Sequence, residues 1–140
     1  MENRKIIKYT IDEIKEAYVD IYKSVFDDYD YEGNCPSIVY VCFENDEFVG
    51  FLSGYIQSQN TWYLQRGGFT KSEQGRFLNL ARYRAGIDEI HKEWLGIMTL
   101  IKNTDISALK LSLGLNFRII GTRMDTGNNL WVELIHCKGD

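Results

Sequence analysis

Twice in the second half of this 140-residue chain an apolar run with strand character empties through small and polar residues into a helical pattern. No other feature restricts the fold as much, because the apolar faces of such strands and helices must be buried against one another. The first run occupies 61–69 and ends Arg66-Gly-Gly-Phe69. Thr70-Lys-Ser-Glu-Gln-Gly-Arg76 then leads into an amphipathic helix predicted over 77–94. The second run occupies 95–101, passes Lys102-Asn-Thr-Asp105 and enters a short helix ending at Gly114. Each helix start leaves backbone N–H groups without intrahelical partners, and with the helix dipole these suit a phosphate or pyrophosphate. The charge distribution points the same way. Arg66, Lys71, Arg76, Arg82 and Arg84 stand against the single acid Glu73, a local charge of +4 in a chain of net charge −4.

Residues 1–140 are expected to form one domain. This length allows burial of about two-thirds of the extended-chain surface. A single proline, Pro36, and the lack of low-complexity runs leave no linker to separate two domains. No apolar run approaches the roughly 18 residues of a membrane span. The start Met-Glu-Asn-Arg-Lys precedes only a short apolar stretch, so neither a signal peptide nor a membrane partner is expected. Cys35, Cys42 and Cys137 are too scattered for a disulfide framework or zinc site, and His91 and His136 do not make a metal centre. The expectation is a cytoplasmic protein with reduced thiols and no metal. Acidic net charge argues against a nucleic-acid partner.

Along the chain, 6–9 reads as a first strand. Thr10 and Glu13 form a Thr-x-x-Glu capping box, and Ile11, Ile14, Tyr18, Ile21, Tyr22 and Val25 then recur at helical spacing to about Phe26. Residues 38–44 and 48–57 form a hairpin through Asn45-Asp-Glu47, with Cys42 a small buried hydrophobe. In the strand 61–69, Gly67 and Gly68 suggest a bulge or the close approach of a ligand. In the helix that follows, Phe77, Leu80, Ala81, Ile87, Ile90, His91 and Trp94 share one stripe, which makes His91 a core or boundary residue. The near-continuous apolar run 95–101 is expected of a strand buried on both faces. Gly114 closes the next helix at its C′ position. Strands at 117–122 and 130–135 complete a mixed sheet of about seven strands with helices on both faces, an α/β (mixed α+β) fold.

This order of elements, with its two strand-to-helix junctions, resembles the GNAT superfamily of acetyl-CoA-dependent N-acyltransferases over essentially the whole chain. The resemblance implies that the fourth strand splays from the fifth and that the acyl group enters the gap. It also implies a Gln/Arg-x-x-Gly-x-Gly/Ala loop around the pyrophosphate of coenzyme A. Here that stretch is Ser72-Glu-Gln-Gly75-Arg-Phe77, in which Gly75 matches, Ser72 replaces Gln/Arg and Phe77 replaces the small residue. Backbone amides hold the pyrophosphate in such loops, so Phe77 fits when its side chain turns to the core. Asn103, Ala108, Gly114 and Phe117 echo the second motif, whose Tyr falls on Lys110 or Ser112 depending on register; the usual general acid is absent. Gly67, Gly68, Phe69, Lys71, Gln74, Gly75, Arg76, Phe77, Asn103 and Lys110 are thereby expected to bind acetyl-CoA.

The implied reaction is direct attack of a neutral primary amine on the thioester. The protein contributes positioning, an amide near the carbonyl oxygen and a route for the proton. Candidates for handling that proton are Tyr63 on the fourth strand, Glu44 ending the second, and Ser112. The stretch 27–32, with Asp28, Tyr29, Asp30 and Tyr31, lies where the family builds its substrate wall. It reads either as a solvated acidic loop or as an attraction for a cationic acceptor, a small amine or lysine-bearing peptide. A monomer or homodimer is expected. Two other classes compete. A GNAT-like module that binds coenzyme or a partner without turnover is favoured by the missing Tyr and incomplete loop. A nucleotide-binding α/β domain is disfavoured, since neither Gly-x-Gly-x-x-Gly nor Gly-x-x-x-x-Gly-Lys-Ser/Thr occurs.

Overall fold

Runs of β-branched and aromatic residues become strands, and the stretches of helical periodicity become helices, in a computed structural model that describes residues 3–26 and 36–140. In chain order these are β1 (Arg4–Thr10), α1 (Ile11–Val25), β2 (Ile38–Glu44), β3 (Glu47–Ser58) and β4 (Thr61–Phe69). There follow α2 (Asn79–Ile90), β5 (Gly96–Lys102), α3 (Ile106–Gly114), β6 (Arg118–Met124) and β7 (Leu130–Cys137). The strands form one sheet in the order β1-β2-β3-β4-β5-β7-β6. Neighbours run antiparallel except β4 and β5, which are parallel.

α1 begins where its capping box predicts: Glu13 accepts from the Thr10 amide at 2.8 Å and from its hydroxyl at 3.0 Å. Its Tyr18, Tyr22 and Val25 pack on Val39, Val41 and Phe51 on one face of the sheet. Within that layer the Tyr18 hydroxyl meets Ser53 Oγ at 3.0 Å. α2 and α3 cover the other face, where Ile87, Ile90 and the α3 C-cap Leu115 join Tyr40, Leu52, Trp62, Ile97 and Leu134. Trp62 has no exposed surface and anchors this core; an aromatic of its class buries roughly 150–250 Å².

Several local expectations are corrected. α2 starts at Asn79, not 77, and ends at Ile90 instead of reaching Trp94. A chain of turns from Thr70 precedes it, so Phe77 never joins the helical stripe: its side chain is fully exposed instead of turned to the core. Ala81, expected on that stripe, is exposed as well. The irregularity in β4 falls at Gln65, since Ser53 pairs with Arg66 while Gly54 pairs with Leu64. Gly67 and Gly68 serve packing: a Cβ would stand 2.5 Å from Leu52 Cδ2 at the first and 2.7 Å from Val25 Cγ1 at the second. Gly114 is the last residue of α3, and Asn116, with φ 70°, takes the left-handed position expected of the glycine. β5 buries one face only; Met98 and Leu100 on the other are half-buried, because α1 packs on β2 and β3 and does not reach them.

Where β4 and β5 remain paired, His91 and His136 form a buried couple, Nε2 to Nδ1 at 2.8 Å, and His91 Nδ1 lies 2.8 Å from the Trp94 carbonyl. A carbonyl only accepts, so His91 Nδ1 carries a proton; with both rings neutral, His91 Nε2 accepts from His136 Nδ1–H. Burial, and next the neighbouring His91, hold His136 below the ordinary histidine value. A folded value below the unfolded one means that the unfolded chain binds the proton more readily. The contribution is fully present above about pH 6.5 and is lost as the pH falls. The melting temperature is therefore expected to drop between pH 7 and 5.5, and to drop less in His136→Leu. Equal drops in both proteins would move the acid sensitivity elsewhere.

Candidate functional site

β4 and β5 pair only through Thr61–Gly96, Trp62–Ile97 and Tyr63–Met98, and then part. One bridge spans the vertex, where Thr99 Oγ1 donates to the Leu64 carbonyl at 3.0 Å. The bulge at Gln65 bends β4 just beyond it. The opening holds a cavity of about 510 Å³. Four consecutive residues of β5 line it: Thr99, Leu100, Ile101 and Lys102. Successive strand side chains point to opposite faces, so the cavity passes through the sheet. Tyr83, Ala108, Leu111 and Ser112 wall it on the α2/α3 side. Arg66, Lys102 and Trp131 wall it on the α1 side, as their register with Ser53 and the Tyr63–Met98 pair requires.

A second hollow, of about 720 Å³, shares Phe26, Tyr83 and Leu111 with the first. It lies against the turns that precede α2. Gly75 there has φ 75°, the left-handed region, and no atom stands within 4 Å of where its Cβ would be. Gln74 braces this segment, its Nε2 donating to the carbonyls of Val25 at 3.1 Å and Phe69 at 3.0 Å. Asn79 Nδ2 donates to the Glu73 carbonyl at 2.7 Å. The amides of Gly75, Phe77 and Leu78 find no acceptor among the described residues. They leave a short row of donors beside the hollow, at the positive end of α2.

The basic island is weaker than its residue count implies. Arg82 is buried, with Nε 3.1 Å from both carboxylate oxygens of Glu44. Its Nη1 donates to Glu73 at 3.2 Å and to Asn79 Oδ1 at 2.9 Å. Arg4 Nε reaches the same Glu44 at 2.8 Å, and Arg76 pairs with Glu73. Hydrogen bonds from Arg82, and then those from Arg4, overcome burial and hold the Glu44 carboxyl down at about 2. A carboxylate so held does not take a proton from an amine at neutral pH, and Glu44 lies outside the cleft lining. The expectation that Glu44 is a general base is corrected: it is a structural ion-pair partner.

The other expected residues divide by position. Ser112 and Gly67 line the through-sheet cavity; Gly68, Phe69, Gln74, Gly75, Arg76 and Phe77 line the second hollow. Lys71, Asn103 and Lys110 are exposed and line neither. Tyr63 stands at the vertex, stacked on Tyr55 with ring centroids 4.9 Å apart. Burial, then Tyr55, pushes its phenol above the usual value against the pull of the Leu100 backbone, Arg66 and Arg123. Tyr63 is thus protonated at neutral pH, a donor and not a base. Asp28, Tyr29, Asp30 and Tyr31 lie outside the described residues. Tyr83, Thr99, Lys102 and Trp131 were not anticipated in the site. Among the described residues no group of three His, Cys, Asp or Glu side chains suits a metal, and no helix is long and apolar enough to cross a membrane.

A mixed sheet that opens between its two parallel strands, with a left-handed glycine turn entering the helix beneath the opening, defines the architectural class. No protein-family model matches the chain, and no curated protein matches its sequence. In three dimensions it is similar to the ribosomal-protein-S18-alanine N-acetyltransferase from Escherichia coli, with a TM-score of 0.68 at 14% identity over 96% of this chain and 94% of that one. A GNAT family acetyltransferase from Elizabethkingia anophelis with acetyl-CoA bound gives 0.65 at 15% identity, over 96% and 98% of the two chains. A Bacillus subtilis acetyltransferase in complex with CoA gives 0.63 at 16%, over 98% and 99%. The fold is that of the GNAT acetyltransferases, in a strongly diverged sequence.

Proposed function

We propose that this protein is an acyltransferase that moves an acetyl group from acetyl-CoA to a primary amine. The observation that carries the reading is the cavity through the sheet, which shares the wall residues Phe26, Tyr83 and Leu111 with the hollow at Gly75. A coenzyme A thioester is long and anionic at one end. Its pyrophosphate suits the amides of Gly75, Phe77 and Leu78, and its arm suits the passage past Tyr83 and Leu111. Beyond Tyr63 the β5-facing edge of β4 lacks a strand partner, which leaves backbone groups to pair with the amides of such an arm. Two of the similar structures hold acetyl-CoA or CoA in this fold.

The acetyl group then sits in the gap, and the amine reaches it from the α1 side. Nitrogen forms the new C–N bond, the C–S bond breaks, and the thiolate gains a proton while the amine loses one. Ser112 on the cavity wall and the phenol of Tyr63 at the vertex are the hydroxyls that supply hydrogen bonds to the departing sulfur or the carbonyl oxygen. The carboxylate in the lining, Asp105, is engaged as the α3 N-cap, accepting from the Ala108 amide at 3.2 Å. That engagement favours the second reading, a coenzyme-binding module without turnover, and it assigns the amine proton to water in the first.

At about 100 times its Kd, acetyl-CoA is expected to stabilise the fold by about 2.7 kcal/mol, with ATP and NAD doing less at equal concentration. A melting temperature raised by ATP and unmoved by acetyl-CoA would sink both readings. Amine-dependent thiol release separates them: binding without release on any amine from pH 7 to 9 selects the module.

A further inference from the structure

The α1-side mouth of the cavity has a charge of its own. Arg66 and Lys102 line it from β4 and β5, and neither has an ion-pair partner among the described residues. The Lys102 ammonium lies 5.5 Å over the Trp131 ring. Arg123 stands opposite Trp131 in register, which in turn stands opposite Lys102, so the three share one face of the sheet. The acids nearby are engaged elsewhere: Glu133 pairs with Arg123 at 3.1 Å, Asp125 accepts from Trp131 Nε1 at 3.0 Å, and Asp105 caps α3. Trp131 and Leu100 give the mouth an apolar and aromatic wall. Arg66 and Lys102 thus remain as two cations without an ion-pair partner among the described residues, which suits an anionic group at this mouth.

We infer that the acceptor amine also carries a carboxylate, which Arg66 and Lys102 hold at the mouth while the amine projects into the gap. The acceptor class is thus a small amino acid. This rests on the acyl-transfer reading and adds the acceptor to it. The guanidinium of Arg66 offers a planar fork that matches a carboxylate, and Lys102 adds a point charge. The carboxylate is a spectator: only the amine nitrogen bonds to the acetyl carbon, and its proton balances the thiolate released. The acidic stretch 27–32, which argued for a cationic acceptor, lies outside the described residues; the described mouth presents the two unpaired cations Arg66 and Lys102.

The test uses matched pairs that differ by the carboxylate alone, phenylalanine with phenethylamine and lysine with cadaverine, and adds spermidine. Each is titrated into the full-length protein saturated with CoA, by calorimetry or ligand-observed NMR. The carboxylated member of at least one pair is expected to bind about tenfold tighter or better. Arg66→Gln is expected to erase about tenfold of that preference, and Lys102→Gln somewhat less, while acetyl-CoA affinity stays within about twofold. Arg66 is exposed, so the variant keeps the native circular dichroism. Equal or tighter binding of phenethylamine, cadaverine or spermidine overturns the inference, as does a variant that weakens both members of a pair alike, or no binding by any pair. Failure of acetyl-CoA to bind overturns the proposed function instead, and titration of the same pairs into the free protein still reads the mouth.

Discussion

Arg82→Met is expected to lower the melting temperature by roughly 10 °C. Removing one partner of a buried ion pair leaves the other charged and under-compensated, at a cost of about 3–5 kcal/mol. The lower figure applies, because Arg4 still reaches Glu44. About 3 kcal/mol in a domain of this size corresponds to roughly 10 °C. Arg82 ties α2 to the end of β2 through Glu44 and to the Gly75 turn through Glu73 and Asn79, so one side chain fixes three segments. The double variant Arg82→Met, Glu44→Leu is expected to recover much of the loss, since two apolar groups replace two buried charges. Thermal denaturation of the two variants checks this, and an unchanged melting temperature in the single variant refutes it. The same pair sets an acid limit. Glu44, with its folded value depressed to about 2, contributes stability above the ordinary carboxyl range near pH 4.5 that is lost as the pH falls towards 2.

Gly75→Pro is expected to weaken acetyl-CoA binding by roughly thirty- to a hundredfold, or about 2–3 kcal/mol, with little change in the core. Proline requires φ near −65° where the native backbone has 75°, and it deletes an amide that has no acceptor among the described residues, on a residue that lines the hollow. Gly75→Ala separates the two causes. It keeps the amide and meets no neighbouring atom, but it strains the left-handed backbone. Its affinity is expected to fall between those of the native protein and the proline variant. Calorimetric titration with acetyl-CoA measures all three; native affinity in a folded proline variant would move the anion site away from this turn.

What was legible in the sequence was local. The Thr10–Glu13 box needs only four residues, and the Asn45–Asp46 turn, with φ of 52° and 65°, is the hairpin geometry those residue types favour. Gly75 was legible because one residue carries the left-handed conformation. What was not legible depended on distant partners. Arg82 reads as part of a basic island until Glu44, 38 residues away, is folded against it. Phe77 fits the helical stripe by spacing, yet the turns from Thr70 postpone the helix by two residues. The glycines at 67 and 68 drew attention to the end of β4, whereas the bulge at Gln65 has no glycine to mark it. Three ladder pairs between β4 and β5 make the opening, and a ladder's length is a property of two strands together.

That opening makes the sheet a septum with a pore, whose position follows from where the β4–β5 ladder ends. The sheet is one strand thick there, so on the proposed acyl-transfer reading a donor and an acceptor entering from opposite sides meet end to end instead of lying side by side. Each product then leaves by the route its parent used, and neither has to pass the other. On the same reading, side chains on the two faces answer to different molecules. A chain only 14% identical to a solved acetyltransferase still takes the same fold, because strand pairing and not the identity of the side chains sets the sheet.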